Sequence, residues 1–278
     1  MATYKGIQGY TVQKLSSDPT ASEIEGQLFY NSASGKFKVG TAGAGVWASA
    51  PSLNTARKQV GNAGASNTSA LCFGGQNASG HLGITEKYDG TSWTEVANLQ
   101  TAKGAGGSAG TSTAGLAFGG VPGSPTASCE TWNNTSWTAT NSMNTGRIGL
   151  GSAGVTNTAA LAFGGNPNTD ATEKWDGTCW TTVNPLNSAR QYFAGAGTST
   201  AALAFGGTPG ASALTEKYDG TSWTEVSDLA TARFELGGAG TTNTSALAFA
   251  GAPPPTAGLS ATEAWSDPVY TIKTVTVS

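Results

Sequence analysis

The twelve residues TEKYDGTSWTEV at positions 85–96 recur without a change at 215–226. The interval of 130 is close to three times 43, so weaker copies should lie between them. A tryptophan recurs at Trp47, Trp93, Trp137, Trp180 and Trp223, with spacings of 46, 44, 43 and 43. Phe-Gly-Gly recurs at Phe73, Phe118, Phe163 and Phe205, with Phe-Ala-Gly at Phe249. A Glu-x-aromatic element recurs at Glu86/Tyr88, Glu130/Trp132, Glu173/Trp175, Glu216/Tyr218 and Glu263/Trp265. A basic residue recurs at Arg57, Lys103, Arg147, Arg190 and Arg233. The two identical stretches are therefore repeats one and four of five.

Each repeat reads as four short strands. In residues 190–226 these are RQYFAGAGT, STAALAFGG, ALTEKYD and TSWTEV, with Asp219-Gly220 as the hairpin signal between the last two. No segment carries a useful 3.6-residue apolar period. A four-stranded unit of about 43 residues cannot bury both faces alone, and stacking such sheets around an axis solves the problem. Gly and Ala on the inner strands let neighbouring sheets approach, and Trp and Tyr on the outer strands fill the wider gap. The expected fold is all-β, a β-propeller of five four-stranded blades, with six as the alternative.

Composition supports a folded chain. Charged residues make up 11% and the net charge is −3, yet there are eight Trp, seven Tyr and nine Phe at regular spacing. Disordered chains combine few aromatics with high net charge. The near-neutral balance predicts no nucleic-acid partner, and no apolar run is long enough for membrane insertion by a helix. MATYKGIQGYTVQKL lacks the apolar region of a secretory signal, so synthesis in a cytoplasm is expected. Cys72, Cys129 and Cys179 each stand where other repeats carry a small residue, which reads as substitution rather than as a disulfide.

The order apolar strand, Gly-Gly, Glu-x-aromatic, Trp resembles the kelch repeat over residues 46–265, and no GH…WD signature appears. The fifth repeat has strands one to three, through Trp265, but no TSW strand. The orphan strand around Trp47 is expected to supply the missing fourth strand and so close the propeller with an N-terminal strand. Upstream, QLFYN and KFKV flank Ser34-Gly35 as a β-hairpin. This segment, IEGQLFYNSASGKFKVG, resembles one seen in tailed-phage fibre and virion proteins, and the Gly/Ala-rich kelch-like domain behind it resembles those of marine phages. The expected domains are an arm at 1–23, a hairpin module at 24–45, the propeller at 46–265 and a C-terminal strand or tail at 266–278. YTIKTVTV in that tail is the strand that a six-bladed version would use.

Chemistry-bearing residues are few. His81, in NASGHLG, is the one histidine, and no Cys cluster accompanies it, so neither a metal nor another cofactor is expected. Copper oxidases with kelch-like propellers need several His ligands, so that activity does not follow from the resemblance. YDGTSW resembles the Asp-box of sialidases, but Asp and Gly are adjacent here and no catalytic Arg cluster follows. Five equivalent glutamates argue for structure, since a catalytic residue should be singular. No catalytic residue is assigned and no enzyme activity is expected. The basic set Arg57, Lys103, Arg147, Arg190 and Arg233 has two readings. It forms five bridges to the five glutamates, or a positive collar at the channel mouth that binds acidic glycans or a peptide carboxylate. The loops after each Phe-Gly-Gly vary in length and content, as binding loops do. They contribute Asn77, His81, Asn168 and Asp170 as candidate ligand contacts. The implied function is that of a virion structural protein, a tail-fibre head or adhesin working in the virion. Its expected partners are other virion proteins, reached through the arm, and a host-surface glycan or protein; a homo-oligomer is expected. The alternatives are a capsid or tail decoration protein and, less favoured, a carbohydrate-active enzyme.

Overall fold

The computed structural model describes residues 13–16, 28–39, 49–252 and 258–267. The chain divides into two compact units, Met1–Ala50 and Pro51–Ser278. In the first, Gln13–Leu15 runs parallel to Leu28–Asn31, which pairs antiparallel with Lys36–Val39. The turn between the last two is held by Asn31, whose side-chain oxygen accepts from the backbone N–H groups of Ala33 and Ser34. Ser34-Gly35 is thus a hairpin turn, with Gly35 at φ 66°. The parallel strand Gln13–Leu15 lies in the stretch read as an arm.

The second unit is a five-bladed β-propeller with no helix among the described residues. Residues 61–96, 107–140, 151–183 and 194–226 each form a four-stranded antiparallel sheet in which sequence neighbours are spatial neighbours. In the fourth blade the strands are Ala194–Thr198, Ala201–Phe205, Thr215–Tyr218 and Trp223–Val226. The basic residue does not open the first strand, as the sequence suggested; Arg190 precedes it by four positions, because Tyr192 adopts a left-handed backbone that interrupts extension. Residues 237–266 form a fifth sheet of three strands. Its expected fourth strand at Trp47, and the alternative strand YTIKTVTV, lie outside the described residues.

The core sits between blades rather than within them. Leu71 and Phe73 of blade one pack against Ala117, Trp132 and Trp137 of blade two, and the pattern repeats at the next two interfaces. The fourth-strand tryptophan of blades two, three and four lies against the Phe-Gly-Gly phenylalanine of the preceding blade. Ring centroids are 4.8 Å apart for Phe73–Trp137, 4.9 Å for Phe118–Trp180 and 4.8 Å for Phe163–Trp223. The indole N–H finds a hydroxyl across the same interface: Trp137 donates to Thr85 Oγ1 at 2.9 Å and Trp223 to Thr172 Oγ1 at 3.2 Å. Cys129 replaces that threonine opposite Trp180, and the three cysteines are free thiols. Burial pushes the Cys129 thiol up to about 11. Near the axis the inner strands touch backbone to backbone. A Cβ on Gly195 would lie 2.4 Å from the Ser152 carbonyl oxygen, so only glycine permits that approach.

Candidate functional site

The five basic side chains lie inside the propeller, each bridging to the glutamate of its own repeat. Arg57 meets Glu86 at 2.6 Å, Lys103 meets Glu130 at 3.4 Å, Arg147 meets Glu173 at 2.8 Å, and Arg190 meets Glu216 at 2.8 Å; Arg233 meets Glu263. None of the five basic side chains is more than 5% exposed. The second terminal nitrogen of the guanidinium acts on backbone: Arg147 Nη1 donates to the Gly164 and Ala171 carbonyls, and Arg190 Nη1 to those of Gly206 and Leu214. Each glutamate in turn accepts from the chain entering its own blade, as Glu86 does from the N–H groups of Asn54 and Thr55. Burial holds Arg147, Arg190 and Lys103 below their ordinary pKa values, opposed by the facing carboxylate. The pairs therefore act as internal cross-links between strands and blade connections. The positive collar is corrected on this point: desolvated, paired cations present no free charge to a ligand.

The loop candidates occupy two blades. Asn77 and His81 belong to a small ribbon, Gln76–Asn77 paired with Gly80–His81, in blade one. Asn77 is half-buried and its side-chain oxygen accepts from the Ser79 N–H at 2.8 Å, so it closes its own turn. His81 is half-buried as well, and lies against Gly104 of the next blade connection. Asn168 and Asp170 are exposed on the blade-three loop, where the Asp170 backbone carbonyl accepts from Leu186 N–H. The loop of blade two stands between these two groups. No three His, Cys, Asp or Glu side chains among the described residues cluster as a metal would require.

A different set of residues converges at the axis. Two positions after each basic residue stand Gln59, Ala105, Gly149, Tyr192 and Glu235, all left-handed with φ between 53° and 57°. They are joined blade to blade by backbone hydrogen bonds: Ala105 N–H to Gln59 carbonyl (3.0 Å), Gly149 to Ala105 (2.9 Å), Tyr192 to Gly149 (2.7 Å) and Glu235 to Tyr192 (2.8 Å). Among the described residues no such bond joins Gln59 to Glu235, so four of the five links around the ring are made. Non-glycine residues avoid this conformation unless the surroundings impose it, and its accumulation marks sites of function. The residue just before each ring member pairs with the start of a variable loop, as Gln191 does with Thr208 and Ile148 with Asn166. Ring and loops therefore share one end of the propeller.

The side chains on this ring are chemically distinct from the rest of the repeat. Gln59 is exposed and its Oε1 accepts from Gln76 Nε2 at 2.7 Å. Glu235 is exposed. The half-buried Tyr192 ring lies over Gly149, where an added Cβ would come within 2.6 Å of it. The central channel has a volume of about 380 Å³ and an uncharged lining that includes Asn62, Ser108 and Ser152. An aromatic face, two amides, one carboxylate and a hydroxyl-bearing channel can hydrogen-bond and stack against a polyhydroxylated ligand. Sequence reasoning missed this ring, although the position after Arg-x was available; nothing in the letters shows that five dissimilar residues share one backbone state.

No protein-family model matches the chain, and no curated protein matches it. Among solved structures, the one titled "Structure of YjhT" is similar with a TM-score of 0.62, covering 74% of this chain and 80% of that chain. The two are 13% identical, so the likeness is one of fold alone.

Proposed function

We propose that the chain is an attachment protein of a tailed-phage virion, and that it contacts a host-surface glycan through the loop end of a kelch-like propeller. The observation that carries this reading is the ring of left-handed residues, with exposed Gln59, exposed Glu235 and Tyr192, at the same end as the irregular loops. The regular parts of the repeat are occupied in packing and internal bridges. What varies between repeats is concentrated where a ligand can reach it. The hairpin segment at 24–40 supports the virion setting through its resemblance to fibre proteins. Partners through the N-terminal residues and assembly as a homo-oligomer belong to the same proposal. Single-site binding to a neutral glycan would be weak, and several copies per particle would raise it by avidity.

The test is binding of the fluorescently labelled protein, clustered on beads, to intact candidate host cells. The comparison is a variant with the loops at 76–84, 121–128, 166–171 and 208–214 replaced by Gly-Ser, and a Tyr192→Ala/Glu235→Ala variant. Binding by the parent that both variants lose supports the proposal. Binding that survives both variants, or no binding on any host that the phage infects, overturns it in favour of a decoration protein.

A further inference from the structure

Four interfaces join consecutive blades, and three of them are plugged at the ring end. The plug is the third residue after the basic one: Leu150, Phe193 and Leu236. Each is buried and rests on the Phe-Gly-Gly segment of the preceding blade. A Cβ built on Gly119, Gly164 or Gly206 would lie within 3.3 Å of a plug side chain, and the Phe163 and Phe193 rings are 5.7 Å apart. Between blades one and two the same position is Gly106, and from Lys103 to Ser108 no side chain exceeds a methyl. A cleft remains there, with buried Phe73, Ala117 and Phe118 as its floor and Gln59 and Gly106 at its rim. Lys103 also lines it, but its ammonium is turned to Ser128 and Glu130. The cleft has a volume of about 10 Å³, room for one small group. A water in such a space needs two to four polar partners, which two phenyl rings and an alanine do not offer, whereas a methyl needs none.

We propose that this cleft is a specificity pocket for the methyl group of a neutral sugar, either the C-methyl of a 6-deoxyhexose or the methyl of an acetamido group. The inference rests on the glycan reading above and names its ligand class. Ring members Gln59 and Ala105 flank the cleft, Gln59 is exposed and Gly106 is half-buried, so it is reached from the mouth that carries the ring. The methyl seats on Phe73 and Phe118, and a sugar hydroxyl or amide meets the Gln59 side chain. The uncharged channel lining and the exposed Glu235 carboxylate favour a neutral sugar over an acidic one. Blades three, four and five cannot offer the same pocket, because Leu150, Phe193 and Leu236 fill it.

The test is saturation-transfer NMR and competition titration on the full chain with three pairs of free sugars. These are L-rhamnose against L-mannose, L-fucose against L-galactose, and N-acetyl-D-glucosamine against D-glucose. The methyl-bearing member of at least one pair should bind about fourfold more tightly, the gain from one buried methyl, with its methyl protons the most strongly saturated. The first two pairs against the third tell the two methyl sources apart. Gly106→Leu, which supplies the plug of the other blades, should abolish the preference. A Cβ on Gly106 would lie 2.7 Å from the Phe118 carbonyl oxygen, so circular dichroism checks the fold of that variant. The sugar pairs decide the matter in the parent protein even where the variant does not fold. Equal binding within all three pairs, or no binding by any of the six sugars, overturns the pocket, as does a preference that folded Gly106→Leu retains. The glycan reading fails separately, in the bead assay on host cells, whose outcome does not depend on which sugar is preferred.

Discussion

At the scale of the residue, two kinds of polar group do opposite work. Asp89, Asp176 and Asp219 sit in the turn between strands three and four, and each carboxylate accepts two backbone N–H groups at 2.8 Å. Those bonds, from Ser92 then Thr91 in the first turn, hold the carboxyl below its ordinary value of 3.8. The folded state therefore binds these protons less readily than the unfolded one. The stability they contribute is complete above the ordinary carboxylate range and is lost as pH falls through the lowered folded values. Asn133 makes the same pair of bonds in blade two without a titrating group. Replacing all three aspartates by Asn should flatten the acid limb of a stability–pH curve below about pH 4 while leaving neutral stability nearly unchanged. Chemical denaturation at stepped pH checks this.

The buried pairs behave differently. Removing one partner strands a desolvated charge, so Arg190→Ala should cost about 3–5 kcal/mol in urea denaturation. Lys103 is the weak member. Its ammonium reaches Ser128 Oγ at 3.0 Å and Glu130 only at 3.4 Å, where an arginine fork would satisfy carboxylate and carbonyl together. Lys103→Arg is expected to raise stability by about 1 kcal/mol in the same measurement. An unchanged midpoint would mean that Ser128 already compensates.

At the scale of the element, what matters is how well a blade is covered. Trp223 is 5% exposed, lies against Phe163 and donates to Thr172, so Trp223→Ala should cost about 3–5 kcal/mol. Trp93 is half-buried; its N–H goes to the Pro51 carbonyl, and Phe249, the residue its repeat position would meet, is 39% exposed. The same truncation at Trp93 should cost no more than about 1–2 kcal/mol, since less apolar surface leaves water there. Equal losses at the two sites would show that Trp93 is as fully buried in solution as Trp223.

For the propeller as a whole, coverage falls off at the fifth blade. Its inner strand Gly237–Thr242 is largely exposed, whereas Gly151–Thr156 of blade three alternates buried and half-buried over its first four residues. Leu247, at 42%, and Phe249 face away from blade four. The fourfold rather than fivefold linkage of the axial ring has its gap at the same place, between Glu235 and Gln59. Local opening requires few buried contacts to be broken there. Amide hydrogen exchange should therefore be faster in 237–249 than in 151–163, with blades two to four the slowest. Uniform protection across all five blades would show that the fifth is covered in solution.

Repeat number, strand order, hairpin turns and the pairing partners of the five cations were all legible in the sequence. They follow from local spacing: Asp-Gly sets a turn, Gly and Ala permit close inner strands, and a charge that recurs with an opposite charge at fixed distance can be neutralised by it. Even there the letters left two readings of Arg57, Lys103, Arg147, Arg190 and Arg233, because burial depends on where the neighbouring blade lies. Only the tertiary structure decided that these side chains point inward. Only it brought Gln59, Tyr192 and Glu235 to one mouth of the channel, since their shared left-handed backbone is imposed by hydrogen bonds from adjacent blades and not by residue type.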